Sequence, residues 1–487
     1  MGKRARIQTK AMPSVSLLDY AFLAFESDAS PKHVGGLQIF ELPPRASPHF
    51  VAQLVEKIKK IRPKSPFDQK LELPLAGMPR WIEADDFEFD DHVFHEAVPE
   101  PHTERALIER IAALHARSLD RSGPLWELYF FEHLNPRRFA TYFKVHHAYM
   151  DGVSLSQRAS GALSEDHRRR SVDTFWGTDS GDHHEVRTNI LQDLFGTAKS
   201  AGSLAMLVPA LGKLGVKHGL RLLNLGGGEL PVPFTAPRTA FNTPLTPERS
   251  VAVTDLPLAR VHDIAEHAAV TVNDVLLELC DRALTRYLDD RGESPDEPLV
   301  AQMPVSLRRQ NCDRGNQITI ALLELGTRDT NPVRRLQDIH EHARNVKQEL
   351  TNMRPETAEA YTLLMQSAAQ LGETLGVSNI VPPLGNVVIS NLIGPRKKQY
   401  LCGAPLLASY PISTIAPGLA LNITVYTYLN TLHVGLVAGH HAIPDLDPIV
   451  EYLQAALLEL EHAMGFATKS SGSTAKKRPK RKQSTQA

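Results

Sequence analysis

One pattern occurs twice in this chain and limits what it can fold into. Residues 144–152 read KVHHAYMDG, and residues 439–445 read GHHAIPD. Each histidine pair closes an alternating, apolar run that reads as a strand. Each is followed by a run with apolar residues at helical spacing. Strand, polar turn and helix, once in each half, predict two layered units of similar plan instead of one core. Length agrees, since 487 residues exceed what a single hydrophobic core organises.

The rest of the chain sustains that alternation. In the first half, SLLDYAFLAFE, FVAQLVEKIKKI, ERALIERIAALHARSLD (104–120) and GVSLSQRASGALS have helical periodicity, whereas HVGGLQIFEL (33–42) reads as a strand. LWELYFFEHL and RFATYFKVHH read as two strands joined by the turn signal Asn135-Pro136. In the second half RSVAVTDLPL, PLVAQMPVSLR, NVVISNL, LALNITVYTY and TLHVGLVAGHH read as strands. VNDVLLELCDRALTRYLDD, VRRLQDIHEHARNVKQEL and DPIVEYLQAALLELEHAM read as helices. Between the halves the texture changes. RRRSVDTFWGTDSGDHH reads as a polar loop, residues 188–224 as one or two amphipathic helices, and GGGELPVPFTAPRT as a linker. The division predicted is a basic tail (1–10), an N-terminal domain (11–164), a helical and Gly/Pro-rich linker (165–245), a C-terminal domain (246–465) and a disordered basic tail (466–487).

Composition excludes several classes. With 42% hydrophobic and 22% charged residues, general disorder is not expected. Cys280, Cys312 and Cys402 are scattered, without a CxxC pair, which argues against a disulfide scaffold or zinc site and suits a reducing cytoplasm. The net charge of −1 conceals an uneven balance. Residues 1–10 carry +4 and the last 22 residues +7, so the body between them is acidic, at −12. That argues against nucleic acid as the main substrate. The terminal KKRPKRK reads either as a solvated tail or as a contact with anionic lipid; nuclear import also fits the residues, with nothing else behind it. No run of about 18 apolar residues is present, so no spanning helix is expected, and MGKRARIQTK lacks the apolar core of a signal peptide.

Three chemistries are open to KVHHAYMDG. Neighbouring side chains of a strand point to opposite faces, so His146 and His147 do not converge easily on one metal ion, and no HExxH or Cys/His cluster accompanies them. Gly152-Val153-Ser154-Leu155-Ser156 lacks the second glycine of a nucleophile elbow. General-base catalysis fits best: a histidine at a strand end can take a proton from a hydroxyl or amine near neutral pH. Asp151 can fix the loop or the imidazole, and Gly152 allows a close approach. Taken alone, the pattern also suits an ordinary strand end carrying a satisfied histidine.

The stretch KVHHAYMDGVS resembles the HHxxxDG signature of the CoA-dependent acyltransferase superfamily. Further stretches resemble its wax ester synthase/diacylglycerol acyltransferase branch, in that family's order. They are SLLDYAFLAFE with HVGGLQIF, PLWELYFFEHL (124–134), VNDVLLELCDRALTRYL (272–288), MPVSLR (303–308), GNQ (315–317) and VVISNLIGPR (387–396), covering about residues 13–465.

The resemblance implies an α/β fold of two chloramphenicol-acetyltransferase-like domains, joined by a helical linker, with the active site in a tunnel between them. It implies an O-acyltransferase that takes acyl-CoA as substrate, needs no cofactor and no metal, and esterifies long-chain alcohols, diacylglycerol or both. His147 would be the general base, His146 a support on the other face, and Asp151 and Gly152 structural, with Arg308 a possible partner of Asp151. Asn273 would shape the oxyanion region; it also reads as a helix N-cap, since Asn273 or Asp274 stands just before VLLELCDRAL. Pro124, Leu125 and Trp126 read as packing beside the strand of His147, compatible with a place at the acyl tunnel. Ser390, Asn391, Gly394 and Pro395 read as a turn after a strand, placed by the family at the domain interface. Gly35 and Gly36 mark either a close backbone approach or a bulge. His440, His441 and Asp445 read as a structural echo, with Leu446 where the glycine would stand. A condensation-type enzyme with amine or polyketide-alcohol acceptors, and a non-catalytic acyl-CoA- or lipid-binding protein, are the alternatives. Location is expected to be cytoplasmic, with peripheral attachment to a membrane's inner face or lipid inclusions through the tails and linker helices as a further expectation.

Overall fold

The computed structural model describes residues 17–72, 79–177, 234–306, 318–326, 331–352, 382–416 and 418–466, with residues 365 and 369. Arg308, Cys312, residues 315–317, the helices expected at 188–224 and both basic tails lie outside the described residues.

The first half supplies α1 (Leu17–Ala24), β1 (His33–Glu41), α2 (Phe50–Ile58), β2 (Gln69–Glu72), β3 (Arg80–Glu83), β4 (Val93–Ala97), α3 (Glu104–His115), β5 (Trp126–Asn135), β6 (Arg138–His146) and α4 (Gly152–Gly161). The second supplies β7 (Arg249–Pro257), α5 (Leu258–His267), α6 (Val272–Asp289), β8 (Val300–Ser306), β9 (Ile318–Glu324), α7 (Pro332–Asn352), β10 (Val387–Ile393), β11 (Tyr400–Leu401), β12 (Ala404–Ile412), β13 (Leu421–Tyr428), β14 (Thr431–Gly439) and α8 (Asp447–Ala463).

Two six-stranded sheets result, ordered β11-β12-β1-β6-β5-β4 and β7-β14-β13-β10-β8-β9. The contiguous halves expected from the sequence exchange a piece of chain, because β11 and β12 leave the second half and extend the first sheet. β12 pairs antiparallel with β1, from Gly35↔Ile412 to Phe40↔Leu406. This exchange has a packing consequence. Leu37, Ile39 and Tyr142 of the first sheet, Tyr410 and Ile412 of β12, and Val388 and Val437 of the second sheet form one buried cluster. A side chain at Gly435 of β14 would collide with the Pro411 carbonyl of β12, so glycine there sets how closely the two sheets meet.

Each sheet also has its own core. On the second, α6 buries Val275, Leu276, Leu277, Leu279, Ala283, Leu284 and Leu288 against strand residues such as Leu323, Ile423 and Leu436. Each fully buried leucine contributes about 1.5–3 kcal/mol over an exposed one. On the first, Trp126 stacks on Trp176 with ring centroids 4.6 Å apart, and Phe175 joins them. The segment expected to be a polar loop therefore carries two core aromatics at its middle. Burial of the indole and phenyl rings outweighs the arginine-rich start of the segment.

Gly35 and Gly36 lie in the regular register of β1 and β6, opposite Lys144 and Phe143. Added side chains would press on the Phe143 carbonyl at 2.7 Å and the Phe143 ring at 2.5 Å, so these glycines serve a close approach and not a bulge.

Candidate active site

His146 is the last residue of β6 and is fully buried, whereas His147 follows the strand and is half-buried. The chain turns here because both flanking amides are taken. The His147 N–H donates to the Lys32 carbonyl at 2.8 Å, and the Ala148 N–H donates to His146 Nδ1 at 3.0 Å. The His147 ring stacks on Phe22 of α1, with centroids 4.2 Å apart and planes 18° from parallel. Burial, opposed by the Asp151 carboxylate, holds the His147 imidazole down at about 4. It is therefore neutral across the physiological range.

His146 faces a different partner. With Nδ1 accepting from Ala148, its proton sits on Nε2, 3.5 Å from Glu26 Oε1. Burial raises the Glu26 carboxyl, but the nearby His146, the Lys32 N–H and Arg121 outweigh it and hold the group at about 2. The two rings touch different elements, His147 stacking on Phe22 of α1 and His146 facing Glu26. Among the described residues no group of three or more His, Cys, Asp or Glu is placed to hold a metal.

Asp151 is buried and is the N-cap of α4, its carboxylate accepting from the Ser154 N–H at 2.7 Å. Its expected partner, Arg308, lies outside the described residues. At Gly152 an added Cβ would meet nothing within 4 Å. Among the described residues no group presses on that glycine, which leaves open space beside the cap.

Pro124, Leu125 and Trp126 are buried. The Leu125 carbonyl accepts from the His146 N–H at 3.0 Å, and the Leu125 N–H donates to Tyr149 Oη at 2.9 Å. The Pro124 carbonyl accepts from Trp126 N–H at 3.0 Å, and Trp126 Nε1 donates to the Phe67 carbonyl at 2.9 Å. The PLW stretch thus holds the histidine loop through its backbone, and Tyr149 closes the connection by donating to the Gln69 carbonyl.

Ser390 and Asn391 are not in a turn. They are strand residues of β10, opposite Thr424 and Val425 of β13, because the parallel pairing runs unbroken from Val388 to Ile393. Gly394 and Pro395 follow the strand. A side chain at Gly394 would meet the Tyr426 ring at 2.5 Å and the Thr427 carbonyl. The Tyr426 hydroxyl in turn hydrogen-bonds Ser156 and Ser160 of α4, the helix that Asp151 caps. This part of the second half is therefore brought against the histidine loop's own helix. Asn391 Oδ1 is buried without a hydrogen-bond partner among the described residues.

Asn273 is the second residue of α6, not its cap. Thr271 is the N-cap: its Oγ1 accepts from the Asp274 N–H at 3.2 Å, and Asp274 Oδ2 accepts from the Thr271 N–H at 2.9 Å. A threonine followed three residues later by an acid is the stronger capping-box signal, and it leaves Asn273 without that duty. His440, His441 and Asp445 form an exposed turn between β14 and α8, with His440 Nδ1 2.9 Å from Ser250 Oγ, so the repeated pattern is an echo of topology and not a second site.

Phe22, Glu26, Lys32, Arg121 and Tyr149 were not singled out from the sequence. Phe22 and Glu26 lie in SLLDYAFLAFE and Tyr149 in KVHHAYMDG, where spacing assigns them no role. Nothing in the spacing ties Glu26 or Arg121 to His146, which stands 120 and 25 residues further along the chain.

The site also lies where the halves meet. Pro31, next to the Lys32 that holds His147, accepts through its carbonyl from Thr414 Oγ1 at 2.9 Å, and the Thr414 carbonyl accepts from Asn422 Nδ2 at 2.8 Å.

Residues 15–276 match the wax ester synthase/diacylglycerol acyltransferase catalytic domain, and residues 314–461 match the WS/DGAT C-terminal domain. A protein of Mycobacterium bovis named as a diacylglycerol O-acyltransferase is 36% identical over 92% of this chain and 98% of its own. The O-acyltransferase WSD of Acinetobacter baylyi is 34% identical over 90% and 94%. The solved wax ester synthase/diacylglycerol acyltransferase from Marinobacter aquaeolei VT8 is 30% identical, with a TM-score of 0.72 over 93% of this chain and 100% of that one. A starter condensation domain of rhizomide synthetase, 13% identical, shares the fold at a TM-score of 0.55 over 93% of this chain and 94% of its own. The chain belongs to the wax ester synthase/diacylglycerol acyltransferase family of acyltransferases.

Proposed function

We propose that the protein esterifies long-chain alcohols, diacylglycerol or both with acyl groups from acyl-CoA, and that His147 is the general base. The observation that carries this reading is a neutral imidazole with both flanking amides fixed, half-buried at the seam between two sheets. The names of the family and of the relatives support the substrate classes.

His147 takes the proton of the acceptor hydroxyl. The oxygen attacks the thioester carbonyl carbon and a tetrahedral oxyanion forms. Its collapse breaks the C–S bond, and the departing CoA thiolate recovers the proton from the imidazolium. No acyl-enzyme forms. Fixed donors at the oxyanion are worth on the order of 3 kcal/mol each. Asn273 is a candidate for that region, and Asn391 for a polar contact with substrate. Asp151 stabilises the imidazolium as well as capping α4.

Incubation with labelled palmitoyl-CoA and either hexadecanol or dipalmitoylglycerol, with separation of the lipid products, tests the reading. Labelled wax ester or triacylglycerol that requires the acceptor supports it. Label transferred only to an amine acceptor would favour a condensation-type reaction, and bound but untransferred label would favour a binding role. Among the described residues no helix is long and apolar enough to cross a membrane. Peripheral attachment through the tails and residues 188–224 is part of the proposal. Equal sedimentation with anionic vesicles, with and without residues 466–487, would remove the tail from it.

A further inference from the structure

The two amides flanking His147 have a common anchor. Lys32, whose carbonyl receives the His147 N–H, donates its own N–H to Glu26 Oε1 at 3.0 Å. His146, whose Nδ1 receives the Ala148 N–H, turns Nε2 toward the same oxygen at 3.5 Å. Glu26 is nearly inaccessible, its side chain 5% exposed, and its second oxygen accepts from Arg121 Nε at 3.1 Å and from a terminal guanidinium nitrogen at 2.8 Å. Arg121 also donates to the Leu23 carbonyl at 2.7 Å, one residue beyond the Phe22 that stacks on the His147 ring. Residues 22–26 therefore hold the base three ways: by its ring, by its own amide and by the next one.

We propose that Glu26 is a positioning residue for the transfer reaction: through the Lys32 backbone and the His146 tautomer it fixes the His147 imidazole in place. The inference rests on His147 being the base. A carboxylate facing Nε2 keeps the proton there and leaves the Nδ1 lone pair for Ala148. Without it, either ring nitrogen can carry the proton, and the tautomer with Nδ1–H cannot accept from Ala148. The expected result is a His147 that is chemically intact but poorly aimed, and a displacement of about 1 Å lowers turnover by up to roughly 100-fold.

The test is a double-mutant cycle of Glu26→Gln and His146→Asn, with kcat and KM measured for each variant using palmitoyl-CoA and the preferred acceptor. An asparagine Oδ1 accepts from the Ala148 N–H whatever faces it, so it replaces His146 Nδ1 without needing the carboxylate. Glu26→Gln should lower kcat by about 10- to 100-fold, with the acyl-CoA KM changed less than threefold. In the His146→Asn background the same substitution should cost less than one third of that factor. Equal factors in both backgrounds, a KM effect with kcat retained, or no effect would overturn the proposal. Should Glu26→Gln not fold, Arg121→Gln, at a half-exposed side chain, loosens the carboxylate from outside. It should lower kcat in the same direction, and full activity would overturn the proposal. His147→Ala, assayed alongside, separates the two levels. An inactive His147→Ala with a fully active Glu26→Gln rejects only the role of Glu26. An active His147→Ala rejects the base on which it rests.

Discussion

Asp151 carries two duties that two substitutions separate. Its carboxylate caps α4 at 2.7 Å from the Ser154 N–H, and its charge raises the pKa of His147 against the effect of burial. Asp151→Asn keeps an oxygen at the cap and removes the charge, whereas Asp151→Ala removes both. Losing a cap costs about 1 kcal/mol, and asparagine caps about as well as aspartate. Asp151→Ala should therefore unfold at lower urea than Asp151→Asn, by the equivalent of about 1 kcal/mol. The charge acts on the base. A neighbouring carboxylate typically shifts a histidine by about one unit or more, which is about 1.4 kcal/mol of imidazolium stabilisation. Without it the His147 pKa falls further below about 4, so the fraction of free base at pH 7 is unchanged but the base is weaker. Thiol release with saturating acceptor should drop in both variants to a similar extent, about threefold to tenfold, following the lost imidazolium stabilisation. The acidic limb of kcat/KM should move to lower pH. Equal stability of the two variants would refute the cap; an acidic limb that moves upward would refute the charge.

Other consequences are equally direct. Gly152→Ala meets no atom of the described residues within 4 Å, so urea unfolding should change by less than about 0.5 kcal/mol while KM for a substrate rises; lost stability with unchanged kinetics would mean the space is not a substrate's. Gly435→Ala drives a methyl into the Pro411 carbonyl at the seam of the two sheets and should destabilise by more than about 2 kcal/mol, read as a lower urea midpoint. Burial pushes the Glu278 carboxyl up to about 8, despite Arg335. The folded chain then binds that proton more tightly than the unfolded one, so stability falls as pH rises from about 4.5 toward 8. Glu278→Gln removes that penalty. Its gain over wild type in urea should be small at pH 5 and about 1–3 kcal/mol at pH 8, and a gain independent of pH would contradict the burial argument.

Much of this arrangement was legible in the chain itself. The apolar, β-branched and aromatic runs of HVGGLQIFEL, RFATYFKVHH and TLHVGLVAGHH marked strands that sit inside the sheets and are buried on both faces. VNDVLLELCDRALTRYLDD marked a helix whose stripe fills the second core. The histidine loop was readable because three residue types of defined chemistry stand close together. What was hidden is what depends on distant chain segments. Nothing local in APLLASYPI says that β12 joins the other half's sheet, since an edge strand pairs equally well with any partner of matching pleat. β2, β3 and β4 are four or five residues long and carry charged side chains, too short for a clear period. The cap of α6 was placed two or three residues late because the polar run Thr271, Asn273 and Asp274 offers several oxygens, and only backbone geometry selects Thr271. Glu26 was hidden for the same reason as β12: its meaning lies in His146, which the fold and not the sequence brings beside it.

The central claim is that His147 takes the acceptor's proton in a direct transfer. The most direct measurement is acceptor-dependent release of CoA from palmitoyl-CoA by wild type and by His147→Ala, with equal urea midpoints confirming that both are folded. A positioned general base contributes about 100- to 10,000-fold, so the variant should fall by at least about 100-fold with hexadecanol and with dipalmitoylglycerol alike. A folded His147→Ala protein that releases CoA within tenfold of wild type would contradict the account and send the search for the base elsewhere in the fold.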